Sequence, residues 1–557
     1  MKTIVFIRPG YSDRIYGAIY EQKSQTRREI RPPLGLMAIA GYLKTFGHTV
    51  HIVDGEPELL SAGQILELVL RLKPDIVGVT ATTPEYPFAS EIIRKIKKAD
   101  HKIKTVLGGA HVTALPEHTI SDLGCDLDWG VLYEGETPMA AIAADVASGF
   151  VWRADRSPKL LMTRERVSGQ ALSSFFPDRE CLDMSVYKYV DTSLGLVQND
   201  AIEMARGCPF GCTFCTSRRT PLEARQIGHI VDEIIDSAKR FGTKLFMFFD
   251  DTFTVHRERA AELFEALIDT KRRGILTDDV HFSGFTRANS LDMDLLRLMR
   301  EAGCDKLSLG IETGNANLLR SMQKGTKLDD YRTAYKMIEE VGIAKRGSFI
   351  IGHPFETIDT VRDSIDFSIE LGLDEIGVNI MTPYPGQLTF RDAYEGKGIW
   401  FAHEVHYPEL RGAKRLDDAW VDFRQANWHD YWREHLRWGK AVVETKELSA
   451  DALVYWHGRF LQEVYGSEKM ADRRRKQIER GNNDEYWHRP WRVHSKKNLE
   501  RQELEREREP RFSDPLHTRY AYIPAHLVDY QKSELHRKSG SRGNSRDAES
   551  AGATAAA

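Results

Sequence analysis

Three cysteines, Cys208, Cys212 and Cys215, stand in the run ARGCPFGCTFC. Three thiolates on one short loop can hold three irons of a cubane and leave the fourth iron open for chemistry. A structural zinc site asks for a fourth protein ligand, usually from a second Cys or His pair, and no such pair follows at suitable spacing. With six cysteines in 557 residues, a disulfide framework is not expected and a reducing compartment is. Cys125, Cys181 and Cys304 stand alone in sequence and read as ordinary core or linker thiols.

The spacing, with Arg206, Gly207, Pro209, Gly211 and Phe214 around it, closely resembles the radical S-adenosylmethionine (SAM) superfamily. The resemblance implies a [4Fe-4S] cluster on Cys208, Cys212 and Cys215. Its open iron would chelate the amino and carboxylate groups of SAM, and one electron would then release a 5'-deoxyadenosyl radical. Phe214 would pack near the adenine. A small electron donor such as flavodoxin or ferredoxin is implied as a partner.

Something must carry that loop, and the chain offers two alternations of strand and helix. In the first, short apolar runs at 3–7, 48–54, 75–80, 104–109 and 128–133 are separated by amphipathic stretches at 34–46, 61–72 and 89–98. Strands apolar on both faces between helices predict a parallel, doubly wound sheet, whose ligands sit at the carboxyl ends of its strands. The small and polar residues gather there: Asp54, then Thr80 and Thr82, then Gly108, Gly109, His111 and Thr113, then Glu134, Gly135 and Glu136. Glycines would let a planar ligand approach, and hydroxyls and carboxylates would bond its amides.

Together with the cysteine loop, PPLG at 32–35, the VLGGAHVT run at 106–113 and the EGE turn at 134–136 resemble the cobalamin-binding domain of the B12-dependent radical SAM class. That resemblance makes these strand-end residues candidate corrinoid contacts. One departure matters: where related cobalamin domains carry Asp-x-His-x-x-Gly, Glu56 stands in the His place and Leu59 in the Gly place. A corrinoid without a protein imidazole beneath cobalt is therefore expected, and His111 is a hydrogen-bonding loop residue before it is a cobalt ligand.

The second alternation has six units, with strands expected at 201–206, 244–250, 281–287, 306–312, 347–352 and 375–382. Six units predict a partial barrel with its chemistry at the strand ends. By resemblance, Asp250 and Asp251 would meet the SAM amino group, Arg287 its carboxylate and Glu312 the ribose hydroxyls. His353, Pro383 and Pro385 would lie close to SAM or substrate.

The fold class expected is therefore α/β: a doubly wound cobalamin-binding domain (1–150), a linker (151–199), a partial (β/α)6 barrel (200–399), a mainly helical cap (400–510), and an extended arm with a disordered tail (511–557). The cap rests on the tryptophans, eight of ten lying from Trp400 onward, and on the helical spacing of Trp428 and Trp432. It would close over the barrel mouth and enclose a large, partly apolar small-molecule substrate. The tail lacks the apolar content to order itself.

With 78 basic and 82 acidic residues, the chain gives no reason to expect nucleic acid as partner. No apolar run suggests a membrane span, and MKTIVFIRPG reads as a strand rather than a signal peptide, so a cytoplasmic location is expected. Methyl transfer to an unactivated carbon comes first as the activity, being the broader reaction of the class. The anaerobic Mg-protoporphyrin IX monomethyl ester oxidative cyclase reaction stands as the alternative, and a corrinoid carrier with a structural cluster as the non-enzyme rival.

Overall fold

The computed structural model describes residues 1–10, 30–146, 160–161, 166–402, 441–479 and 481. Its first layer is a six-stranded parallel sheet of β1 (Thr3–Arg8), β2 (Thr49–Asp54), β3 (Ile76–Thr80), β4 (Lys104–Gly108), β5 (Trp129–Val131) and β6 (Leu160–Leu161). Their spatial order is β2-β1-β3-β4-β5-β6. Alternation along β1 explains the two-sided burial. Val5 and Ile7 pack under helices Ala62–Leu72 and Tyr86–Ala99, whereas Ile4 and Phe6 pack under helices Leu34–Lys44 and Glu136–Ala143.

The second sheet curls into a half-barrel. It comprises β7 (Lys188–Asp191), β8 (Gly195–Ile202), β11 (Leu245–Phe248), β12 (His281–Thr286), β13 (Cys304–Glu312), β14 (Ala344–Ile351) and β15 (Glu375–Ile380), in the order β15-β14-β13-β12-β11-β8-β7. Between β8 and β11 lie the short β9 (Ala205–Arg206) and β10 (Glu223–Ala224), paired antiparallel. Leu307, Leu309, Ile311, Phe349, Ile351, Ile376 and Val378 face the helices that cover the barrel. Their alternates, among them Ser308, Gly310, Ser348 and Gly377, therefore line the helix-free face.

The first barrel strand differs from expectation. It starts at Gly195, inside the stretch read as linker, and is flanked by β7 running antiparallel to it. Gln198, Asn199 and Asp200 break its apolar alternation, yet Asn199 and Asp200 are fully buried, the Asn199 amide nitrogen and the Asp200 carboxylate each with a partner. Asn199 Nδ2 donates to the Ile30 carbonyl at 2.9 Å. Asp200 pairs with Arg179, whose guanidinium also meets Glu233 at 2.7 Å. A buried polar strand of this kind carries no periodic signal.

Two helices are described in the expected carboxyl-terminal helical region. Ala450–Tyr465 packs on the outer side of β15: Tyr465 Oη meets the Ile376 amide at 3.1 Å, and the Phe460 ring lies 5.1 Å from that of Phe349. The helix thus completes the barrel wall, and residues 403–440 of the expected cap lie outside the described residues. Helix Glu468–Glu479 follows it. Trp428 and Trp432, and the tail expected from 511, lie outside the described residues. Among the described residues no helix is long and apolar enough to cross a membrane.

Candidate functional site

The β9–β10 pairing closes the neck of the cysteine loop. Within it the Cys208 amide donates to Thr220 Oγ1 at 2.8 Å, the Thr220 amide returns a bond to the Cys208 carbonyl at 2.9 Å, and the Arg219 amide reaches the Phe210 carbonyl at 2.8 Å. The Thr213 amide and carbonyl fasten the loop to the Met322 carbonyl and the Leu388 amide. Cys212 is buried, and Cys208 and Cys215 are half-buried. Burial raises the Cys208 thiol, and burial pushes Cys215 up to about 11, with the neighbouring Asp251 carboxylate and Cys212 adding to both. Three thiols on one short loop, Cys212 buried and the other two half-buried, make the soft donor set that an iron-sulfur cluster takes. They fit a cubane held by three sulfurs.

Arg287 stands beside them. Its guanidinium covers the Phe210 ring at 3.8 Å, sets Nη1 3.7 Å from Cys212 Sγ, and donates through Nη2 to the Lys324 carbonyl. Glu312 has φ +72, in the left-handed region, at an irregularity between β13 and β14. Its Oε1 is 2.6 Å from Lys324 Nζ, both side chains being almost fully buried. Against the lowering effect of burial, the Glu312 charge holds the Lys324 ammonium up. Phe214 meets His353 edge-on at 5.6 Å and Lys324 Nζ at 5.8 Å from its ring. His353 is 1% exposed, and burial, with Lys324 nearby, lowers it to about 3.

The two aspartates after β11 part company. Asp250 is buried and accepts from the Met204 amide at 3.0 Å and the Ala205 amide at 2.7 Å, while burial raises it to about 7. Its oxygens shape the entry to the cysteine loop, so they are not offered to a SAM amino group. Asp251 is exposed beside the thiols. It is the one of the pair that can meet an ammonium.

At the edge of the first sheet several expected corrinoid contacts have other duties. Asp54 takes Arg8 Nη2 and Tyr187 Oη, each at 2.6 Å. Glu134 takes Arg166 at 2.7 Å and Glu136 takes Arg206 at 2.8 Å. A Cβ on Gly109, where φ is +97, would lie 2.7 Å from the Ala81 carbonyl oxygen, and one on Gly135 would lie 2.5 Å from Ile39 Cδ1. Those two glycines admit neighbouring chain, not ligand. His111 is fully buried and stacked on Tyr86 at 3.9 Å, so its ring is held in the core and burial drives its pKa far down.

Thr113 Oγ1 accepts from the Tyr133 amide at 3.0 Å, and Thr82 bonds Glu85 at 2.7 Å. Thr80 and Gly108 remain partly open and Thr82 exposed, with nothing nearer than 4.0 Å to a Cβ on Gly108. Leu59, in the place of the motif glycine, keeps a left-handed φ of +54. The turn persists with Glu56 where an imidazole would stand, which fits a corrinoid lacking a protein imidazole.

The structure brings the two platforms together, since Arg206, two residues before Cys208, touches Glu136 of the first sheet. Sequence reasoning missed Lys324, Glu356 and Arg166. Lys324 lies in no local motif, Glu356 stands three residues after His353 with no pattern to mark it, and Arg166 falls in the stretch read as linker.

Comparison with known proteins agrees with this geometry. Residues 202–368 match the Radical SAM superfamily and residues 25–143 the B12 binding domain. An uncharacterized methyltransferase of Pyrococcus horikoshii is 31% identical over 366 residues, covering 64% of this chain and 77% of that protein. The anaerobic magnesium-protoporphyrin IX monomethyl ester cyclase of Rubrivivax gelatinosus is 30% identical over 383 residues, covering 66% of each. In fold, the radical SAM methyltransferase TsrM from Kitasatospora setae, solved with cobalamin and a [4Fe-4S] cluster, superposes with a TM-score of 0.58 at 16% identity, over 76% of this chain and 81% of that one. The matched regions take in the first sheet and the cysteine loop with its barrel, and the chain belongs to the cobalamin-dependent radical SAM enzymes, whose cofactors are a [4Fe-4S] cluster, SAM and cobalamin.

Proposed function

We propose that this enzyme methylates an unactivated carbon of a small molecule in the cytoplasm, drawing electrons from a small donor such as flavodoxin or ferredoxin. The observation that carries the reading is the Arg206–Glu136 contact, which sets the cysteine loop at the edge where a corrinoid would dock. The three cofactors when bound supply an electron, a hydrogen-abstracting radical and a methyl carrier.

The chain's own residues do the rest. Cys208, Cys212 and Cys215 hold the cluster, and Arg287 keeps a positive charge against the Cys212 sulfur. Asp251 takes the SAM ammonium and Phe214 packs against the adenine. Glu312 has Lys324 on one oxygen and offers the other to the ribose hydroxyls. Thr80, Thr82, Gly108 and Thr113 border the corrinoid. The helix-free row Gly310, Ser348 and Gly377, adjacent in register on three strands, gives its space to the Glu312, Lys324 and Arg346 side chains, which lie over the two glycines.

Anaerobic reconstitution with iron, sulfide, hydroxocobalamin and methyl-labelled SAM tests this against extracts of the source cells, where label should pass into a small-molecule product. The similarity to cyclases favours a second reading, oxidative cyclisation of a tetrapyrrole side chain. It predicts an unlabelled product that carries oxygen from water. 5'-Deoxyadenosine formation without a modified product from either source would overturn both.

A further inference from the structure

One turn of the first sheet reaches both ends of the cysteine loop. Glu136, 2% exposed, receives Arg206 Nη1 at 2.8 Å, and Arg206 Nε is held by Glu203, also at 2.8 Å. Arg206 is the last residue of β9, so this contact fixes the loop where it begins. Glu134 receives Arg166 Nε at 2.8 Å and the Val167 amide at 2.6 Å. Arg166 then donates through Nη1 to the Pro221 carbonyl, where the loop ends.

There is little slack between the two grips. Gly207 has φ +104, and a Cβ there would lie 2.8 Å from Arg166 Nη1. Ion pairs that are half or fully withdrawn from water keep much of their Coulomb energy and constrain geometry closely. Between the two carboxylates, Gly135 is pressed against Ile39 of helix Leu34–Lys44. The turn is therefore braced by the core of the sheet from which it emerges.

We infer that Glu134 and Glu136 are positioning residues. Through Arg166 and Arg206 they set the distance between the cysteine loop and the corrinoid-binding edge, and they are not corrinoid ligands. What they position, a cluster and a corrinoid, rests on the function proposed above; that they clamp the loop does not.

Hydrogen exchange on the full chain without cofactors separates the two. In Glu136→Gln and Arg206→Met, amides at 207–221 should exchange about tenfold faster while β1–β4 are unchanged, and Arg206→Lys, which keeps the charge, should recover about a third of that loss. On the reconstituted protein, Glu136→Gln should bind hydroxocobalamin with native affinity. After reduction by one electron at cobalt and one at the cluster, which makes both centres paramagnetic, it should show a broadened cob(II)alamin-to-cluster distance by pulsed electron paramagnetic resonance.

Unchanged loop exchange in both variants overturns the inference. So does a loss of corrinoid affinity beyond about tenfold in Glu136→Gln with loop exchange unchanged, which would make Glu136 a ligand. Should Glu136→Gln fail to fold, Arg206→Met and Arg206→Lys decide by the same exchange measurement. A native chain that takes up neither iron nor corrinoid would sink the functional reading, with the exchange result still deciding the clamp.

Discussion

Lys324 Nζ lies 2.6 Å from Glu312 Oε1, with both side chains almost fully buried and the Glu312 backbone in the left-handed region. A pair of opposite charges withdrawn from water is costly to break from one side, because the remaining charge is left without its counter-ion. Lys324→Met should therefore destabilise the cofactor-free chain by about 3 to 5 kcal/mol, and adding Glu312→Gln should recover most of the loss. Denaturant titration of the two single variants and the double decides it; additive losses would mean that the ion pair is not the coupling.

Cys212 is the buried cysteine of the three and stands beside Arg287. Cys212→Ala should abolish cluster assembly and SAM cleavage while hydroxocobalamin still binds, because the corrinoid edge belongs to the other sheet. Iron content and 5'-deoxyadenosine formation are the measurements. Cleavage that survives at native rate would remove the cluster from this loop.

Burial raises the Glu356 carboxyl to about 7 from its ordinary 4.5, although the Gly352 and His353 amides, at 2.5 and 3.0 Å, favour its charged form. The folded chain then keeps a proton that the unfolded chain has released, so stability falls as pH rises through that window, by on the order of 3 kcal/mol in all. Glu356→Gln preserves an acceptor for both amides and should flatten the dependence. Denaturation midpoints from about pH 5 to about pH 8 test it, and parallel slopes in the two proteins would refute it.

His111, stacked on Tyr86 in the core, cannot reach a ligand docked at the strand ends without repacking. Bound cob(II)alamin should show no histidine nitrogen splitting in its paramagnetic resonance, and His111→Phe should leave that spectrum and the corrinoid affinity unchanged. A nitrogen splitting that disappears in the variant would restore His111 as an axial ligand.

Much was legible in the chain itself because it depends on short-range pattern. The cysteine spacing, the apolar runs of the first sheet and all but the first barrel strand lay close to where periodicity placed them. A metal-binding loop and a strand buried on both faces declare themselves in consecutive residues. What the residue order alone determined was the kind of chemistry and the two layers that carry it.

Which charged residues remain free for a ligand was decided only by the tertiary structure. Asp54, Glu134, Glu136 and Asp250 read as binding residues, yet their partners, Arg8, Arg166, Arg206 and the Met204 and Ala205 amides, include groups far away in sequence or on another element. Asn199 and Asp200 likewise hid a strand until Ile30 and Arg179 were brought against them. A carboxylate's role follows from what neutralises it once water is excluded, and that neighbour is supplied by the fold.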